Sequence, residues 1–541
     1  MVQNFGRQKV DRETTGFILF FIFMAFYYGW RLFALTPWYD ELYTYYYFIS
    51  RGPVYAAIHW PLPNNHIGYS VLSACLGIFG SPDIALRGIS YLSALGSLAL
   101  IFRISRKCFG QGMALIPVFL YAGMKLVNQL AVQGRGYALV TLCYLTAVCE
   151  LLHITAEYRG CIRDYVLFGG SLILALYTIP SSVYVVVPIC LIGGMALLVQ
   201  GETGKLVRLI LTSFISAACT TGLYGIVWLA IGSNLLVKTE GSAYYGMGHA
   251  SVILRDPFAA LGTGIEYMLA TPYIQSVGRE GFGEKFILWL RNLLNEYYPG
   301  GSMLLTVLMA GCAAGIAFRA GRHVKDGMYR RKEGSSEYET FMELYLAVSI
   351  IVIPLMLIVQ CSLPYYRVLS FAGVVLAFAA AWLLKTVTEY LKQKAEGNPG
   401  KINTLWKYLP MAVSVFCGIL CVVLLFSPSY RAQYSDREAA IEDAYAQVDW
   451  SKSGKAGVTD CDQEYLLLFL YGITEERITR NPTEADVVLA DKYLLSDRVN
   501  EETDNGQDVW KLYITREEFM RCMETADLEA VYENSRFVLF K

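Results

Sequence analysis

The sequence predicts an α-helical polytopic membrane protein: about eleven transmembrane helices, then a small C-terminal extracytoplasmic α/β domain. Three observations predict it. Of 541 residues, 55% are apolar and only 17% are charged, with 14% aromatic and a mean hydropathy of +0.39. A soluble chain carries about a quarter charged residues, so the composition argues against a soluble enzyme, a disordered chain and a nucleic-acid binder. Apolar runs long enough to span a bilayer recur along most of the chain. The charge is also segregated. Positions 429–541 hold 24 acidic and 13 basic residues, a net of −11, against a net of +10 over the preceding 428. The break near Ser427 therefore divides a membrane body, 1–428, from an acidic soluble domain, 429–541.

A helix needs about 20 apolar residues to cross the hydrocarbon core. Spans are expected near 17–35, 84–102, 111–127, 136–154, 165–179, 183–199, 209–231, 302–318, 341–361, 368–384 and 408–427. Orientation follows from Lys and Arg in the connections. Arg7, Lys9, Arg12, Arg103, Arg106, Lys107, Arg159, Arg163, Lys205, Arg208 and the basic stretches 319–332 and 385–407 share one side. That side is read as the cytoplasm. The N-terminus then lies inside, and the acidic tail outside. The first span reads as a retained anchor, because no small-x-small cleavage site precedes Thr36-Pro37-Trp38.

Two outer loops are long, about 37–83 and 232–300. The second carries Phe286, Ile287, Trp289, Leu290, Leu293, Leu294 and Tyr297 with charges between them, the spacing of an amphipathic helix at the outer interface. It reads equally as a capping helix or as a substrate lid. The tail reads as helix over 431–448, strands over 486–491, 509–514 and 537–540, and helix over 515–526 with Thr515 as its cap and Glu518 three residues on. Of thirteen cysteines, eleven lie in or beside apolar segments, and none forms a CxxC pair. Cys461 and Cys522 lie in the tail, where an oxidising exterior would permit a disulfide if the fold brought them together.

The chemistry points to the first outer loop. Thr36-Pro37-Trp38-Tyr39-Asp40-Glu41 follows the first span directly and continues into Leu42-Tyr43-Thr44-Tyr45-Tyr46-Tyr47-Phe48. Rings are expected at an interface; two adjacent carboxylates among them are not. A carboxylate partly buried beside rings suits general-base work. The same pair also fits a plain acidic helix start, favoured by the helix dipole. The loop goes on through His59-Trp60-Pro61-Leu62-Pro63-Asn64-Asn65-His66, a turn entering a short apolar helix over 66–79. His66 stands there as a base, a polar contact or a structural histidine. Four cations, Arg87, Lys125, Arg135 and Arg367, fall at outer ends of spans. Guanidiniums there match phosphate bidentately, or they anchor to ordinary lipid headgroups. The spans carry almost no ionisable group near mid-membrane, unlike ion-coupled transporters.

These features resemble the GT-C superfamily of polytopic glycosyltransferases. The resemblance rests on the basic N-terminal stub, one span, then Asp40-Glu41 in a long first loop. The Asn64-Asn65-His66 turn, the short helix ending in Phe79-Gly80 and Arg87 opening the second span extend it. Within the superfamily the chain is most similar to the branch of protein O-mannosyltransferases, aminoarabinose transferases and RgtA/B/C/D-like enzymes. The clear likeness covers about 15–160. It implies a sugar donor on a polyprenyl phosphate and transfer on the extracytoplasmic face. It maps the catalytic acidic motif to Asp40, with Glu41 beside it, and the arginine at the head of the second span to Arg87. The family's His-Pro-Pro-Leu-like turn is replaced here by Asn64-Asn65-His66-Ile67.

The expectation is therefore an inverting membrane glycosyltransferase with Asp40 and Glu41 as catalytic residues. His66, Arg87, Arg135 and Arg367 are expected to bind substrate. The acceptor is left open between glycan, lipid and protein; membrane lipids are partners and nucleic acid is not. The scheme needs no cofactor, although Asp40, Glu41 and His66 have the donor types to hold a divalent metal. Two other classes compete: a transporter or lipid-linked-glycan flippase, and a non-catalytic surface protein whose tail binds a partner.

Overall fold

The computed structural model describes residues 11–59, 65–157, 160–270, 277–325, 337–396, 405–495 and 512–541, without the side chains of 320–325, 395–396 and 405–407. Arg7, Lys9, the turn residues 60–64, Arg159, the basic residues of 326–332 and 397–404, and 509–511 of an expected strand lie outside them.

Nine helices among the described residues are long and apolar enough to cross a membrane. They are Arg12–Ala34, Pro82–Phe109, Tyr137–Thr155, Pro180–Gln200, Thr203–Lys238, Ser302–Arg319, Glu337–Gln360, Ala372–Lys394 and Tyr408–Leu425. The two remaining expected spans take other forms. The stretch expected over 111–127 is broken into Leu115–Ala122 and Lys125–Leu130. The break leaves carbonyls without helical partners, and the Asn128 amide answers them, donating to Ala122 O at 2.5 Å and Met124 O at 2.9 Å. The stretch expected over 165–179 is a 17-residue helix, Ile162–Thr178, stopped by Pro180.

One end of the bundle gathers the cations that the sequence groups together. Arg106 pairs with Asp11, Lys107 with Glu157, Arg319 with Glu343 and Glu389, and Lys385 with Glu339. At the opposite end, the long first loop is a series of short helices: Tyr39–Tyr47, Pro53–Ile58 and Ile67–Leu76. The amphipathic segment is the helix Phe282–Tyr297. It buries Trp289, Leu293, Leu294 and Tyr297 and leaves Ile287 and Leu288 exposed. Trp289 Nε1 donates to Pro364 O at 2.9 Å and the Tyr297 hydroxyl to Leu369 O at 2.5 Å, which fixes the helix to the segment carrying Arg367.

The last apolar helix ends at Leu425, and the chain then folds onto this end. The tail helix spans Asp436–Tyr445, shorter than the expected 431–448. Five strands follow among the described residues: β1 Ala456–Gly457, β2 Ile478–Thr479, β3 Val487–Asp491, β4 Ala530–Glu533 and β5 Phe537–Phe540. They form one mixed sheet in the order β2-β1-β3-β5-β4, parallel at β2-β1-β3 and antiparallel at β3-β5-β4. The expected strands at 486–491 and 537–540 are β3 and β5. Of 509–514, Leu512 makes a single bridge to Asp460. The helix Arg516–Thr525 has the Thr515–Glu518 capping box read from the sequence. Cys461 and Cys522 are both free thiols, so the conditional disulfide does not form.

The helix Thr203–Lys238 has 36 residues, about 54 Å at 1.5 Å per residue, well beyond a hydrocarbon core of about 30 Å. Its C-terminal part packs against Pro257–Ala270 at backbone distance. A Cβ on Gly232 would sit 1.7 Å from Ala260 O, and one on Gly264 would sit 2.0 Å from Trp228 O. Gly232→Val is expected to push these helices apart and lower stability by about 1–3 kcal/mol. The checking measurement is thermal unfolding in detergent, with an unchanged midpoint counting against the contact.

Candidate active site

The site is built where the first helix hands over to the second. Residues 35–38 run out of Arg12–Ala34, and Trp38 caps the helix Tyr39–Tyr47. Asp40 and Glu41 occupy its first turn, where the helix dipole favours carboxylates. Their fates differ. Glu41 turns inward and is fully buried. Its Oε1 accepts from Arg87 Nε at 2.8 Å and from the Gly134 amide at 2.6 Å. Its Oε2 accepts from Arg87 Nη2 at 3.1 Å and from the Trp38 amide at 3.0 Å. Gly134 is required there: an added Cβ would meet Leu86 Cδ1 at 2.5 Å and Glu41 Oε1 at 3.1 Å.

Arg87 does not reach the site as a free cation. Two of its nitrogens hold Glu41, and Nη1 donates to Leu32 O at 2.8 Å and Leu35 O at 2.7 Å. It thus caps the C-terminal carbonyls of the first helix. Glu41, expected beside Asp40 in the catalytic motif, and Arg87, expected to bind substrate, are paired with each other in this structure. Their charges are spent on each other and on backbone, because both are at 0% exposure and a buried charge must be paired.

Asp40 is left to face the site. Its Oδ2 lies 3.4 Å from Arg367 Nη2, and its side chain keeps 16% exposure. Arg367 sits in the short helix Tyr366–Leu369 and donates through Nε to the Tyr137 hydroxyl at 2.9 Å. Its guanidinium carbon lies 4.7 Å from the ring centre of Tyr365 and 5.2 Å from that of Trp38, a cation–π setting that orients the fork. Arg135 enters from the turn before Tyr137–Thr155. Its Nη1 donates to Thr44 Oγ1 at 2.7 Å and lies 3.4 Å from Asp40 O. The glycines flanking Arg135 permit this approach: a Cβ on Gly136 would meet Thr178 Cγ2 at 2.4 Å and His66 Nδ1 at 3.3 Å.

His66 is 2% exposed and packs edge-on against Tyr137. Its Nδ1 accepts the Gly136 amide proton at 2.9 Å, so in the neutral ring Nε2 carries the hydrogen. That Nε2 faces Arg135 Nη2 at 3.2 Å. Burial, then Arg135, then Arg367 hold the imidazole well below its usual pKa. Of the three readings, base is the one this geometry removes. Nδ1 is already occupied and Nε2 is a donor.

The structure therefore brings Asp40, His66, Arg135 and Arg367 to one place, with Arg87 one residue behind through Glu41. Within this set, two carboxylates face three guanidiniums; Asp83 and the tail's Glu438 and Glu442 add acid close by. Lys125 opens the helix Lys125–Leu130, half-buried, with no ion pair among the described residues. Asp40, Glu41 and His66 do not form a metal ligand set, because Glu41 is consumed by Arg87 and His66 Nδ1 by Gly136. Among the described residues the one such grouping is Cys149, Glu150 and His153, in the half of Tyr137–Thr155 remote from Gly136, where Arg103 contacts His153 at 3.0 Å. The sequence gives no signal for Trp38, Thr44, Tyr137 or Tyr365 as site residues. The fold buries Thr44 and Tyr137 and half-buries Trp38, while Tyr365 stays 60% exposed with its ring against Arg367.

Residues 67–230 match the family model described as dolichyl-phosphate-mannose-protein mannosyltransferase. None of the curated proteins matches the chain. Among solved structures, ArnT from Cupriavidus metallidurans bound to undecaprenyl phosphate has a similar fold, with a TM-score of 0.53 and 13% identity. The match covers 97% of this chain and 98% of that one. So does the archaeal oligosaccharyltransferase AglB from Archaeoglobus fulgidus, solved with an inhibitory peptide and a dolichol-phosphate. Its TM-score is 0.50 at 13% identity, over 90% of this chain and 70% of that one. The fold is that of the GT-C polytopic glycosyltransferases, as the sequence resemblance implies.

Arg87→Met is expected to strand Glu41 as a buried, unpaired carboxylate and to cost about 3–5 kcal/mol. Unfolding in detergent measures it, and a loss below about 1 kcal/mol would mean the pair is solvated. His66 gives a pH dependence of known sign. Its folded pKa is below the ordinary 6.5, so below that pH the unfolded chain binds more protons. Stability is then expected to fall as pH drops from 6.5, and His66→Asn to flatten that slope in melting curves taken across pH.

Proposed function

We propose that the chain is a membrane glycosyltransferase that moves a sugar from a polyprenyl-phosphate donor to an acceptor hydroxyl on the extracytoplasmic face, with inversion. The observation that carries this reading is the meeting of one presented carboxylate, Asp40, with the guanidiniums of Arg135 and Arg367 in one site. The family described for 67–230 and the lipid phosphates bound by the two solved structures agree with it. The orientation is supported by the cations gathered at the opposite end of the bundle.

In this mechanism the acceptor hydroxyl gives its proton to the Asp40 carboxylate. The oxygen forms a bond to the anomeric carbon as the bond from that carbon to the phosphate oxygen breaks. The electron pair leaves with the prenyl phosphate. Arg135 and Arg367 offset that charge, at about 3 kcal/mol each in a water-poor site. The His66 Nε2–H adds a neutral donor beside Arg135. Glu41 and Arg87 act behind them, holding the helix that presents Asp40. No step is routed through a metal.

Purified protein supplied with a panel of prenyl-phosphate sugars should release prenyl phosphate. Asp40→Asn is expected to lower that release by about 10²- to 10⁴-fold, the usual contribution of a general base, while melting and inserting as the parent does. Near-parental turnover in this variant would remove Asp40 from the mechanism.

A further inference from the structure

The tail is laced to the segment that carries Asp40, through contacts that the scheme above does not use. Thr36 donates its amide to Gln433 Oε1 at 2.9 Å, and its hydroxyl contacts Glu442. Tyr39 donates its amide to Glu438 Oε1 at 3.2 Å. Tyr39 is the first residue of the Asp40 helix, so this amide is one of the donors that a helix start leaves without an internal partner. Glu438 thus caps the helix from outside, while Glu41 caps it from within through the Trp38 amide. Glu438 is 3% exposed, and its other oxygen is held by the Ser435 hydroxyl. Tyr434, one turn earlier, lies with its ring centre 5.8 Å from the Arg87 guanidinium and donates its hydroxyl to Gln129 O at 2.8 Å. Behind these contacts, Ile441, Ala444 and Tyr445 share an apolar core with Leu42, Ala85 and Leu86.

A surface domain that only shielded the bundle would need no buried carboxylate on the backbone of the reacting segment. Moving a backbone amide at the first residue of a short helix moves the next side chain with it, and that side chain is Asp40. We propose that the tail helix is part of the catalytic apparatus, with Glu438 as the positioning residue that fixes the start of the Asp40 helix through the Tyr39 amide. This inference rests on the reading of Asp40 as the base. The tail then acts on the chemical step rather than on donor affinity, since none of its contacts named here is to Arg135, His66 or Arg367.

The test is steady-state release of prenyl phosphate by the full chain carrying Glu438→Ala, Glu438→Gln or Asp40→Asn. A glutamine keeps an oxygen acceptor for the Tyr39 amide; an alanine does not. The expected result is a kcat at least about tenfold lower for Glu438→Ala, since small misplacements of a reacting group cost that much or more. The KM for donor should be little changed, and kcat for Glu438→Gln should lie within about threefold of the parent. Parental kcat in Glu438→Ala, or an equal loss in both variants, would overturn the positioning role. If Glu438→Ala does not accumulate, Glu438→Asp replaces it, with a carboxylate one methylene short of the amide. A lowered kcat there supports the role, and a parental one overturns it. Activity retained by Asp40→Asn would instead show that the base was misassigned, which separates the two failures.

Discussion

The Glu41–Arg87 pair is the constraint on which the rest of this end of the bundle depends. Two opposite charges sit at 0% exposure, so each must be answered in full where it stands. Answering them ties four pieces of chain together: the carbonyl end of the first helix, the start of Tyr39–Tyr47, the second span and the Gly134 turn. Such a pair gives little net stability against an apolar substitute. What it supplies is geometry. With Glu41 fixed inward, its neighbour Asp40 must leave the helix about 100° away, toward Arg367.

The site follows from that division. Adjacent carboxylates in solution would be near-equivalent; here one is structural and one is presented. The same economy governs the cations. Arg87 is absorbed by backbone and Glu41; Arg135, also buried, donates to Thr44 from a glycine-flanked turn, and the more exposed Arg367 lies against rings beside Asp40. His66 is held as a neutral donor because the Gly136 amide takes its other nitrogen. A presented carboxylate beside the Arg367 guanidinium suits arrival of a hydroxyl and departure of a phosphate, which is the reaction proposed.

The tail belongs to this arrangement more closely than its composition suggests. Its acidic surplus reads as a solvated surface, and part of it is. Glu438 and Glu442, however, are turned toward backbone and hydroxyl groups of residues 36–39. Rings from both sides complete the contact: Tyr46 stacks on Tyr465 at 5.3 Å, and Tyr45 meets Phe469 edge-on at 5.2 Å.

Much of this was legible in the residues. Hydrophobic runs give the spans because a bilayer admits little else. The Thr515–Glu518 box, the 282–297 helix and strands β3 and β5 follow from local spacing that tertiary contacts do not override. The short strands β1 and β2, two residues each, carry no period to read. The break at Gly123 was hidden because apolar runs look continuous whether or not the helix is, and only Asn128 folding back reveals it. Composition and order alone therefore determined that this chain crosses a membrane many times and gathers acid and guanidinium at one face. Which carboxylate is spent and which is offered, that Arg87 supports while Arg367 faces Asp40, and that the tail reaches the Tyr39 amide were decided by tertiary structure. Those choices depend on pairs some 46 to almost 400 residues apart, and no local pattern encodes which buried charge finds which partner.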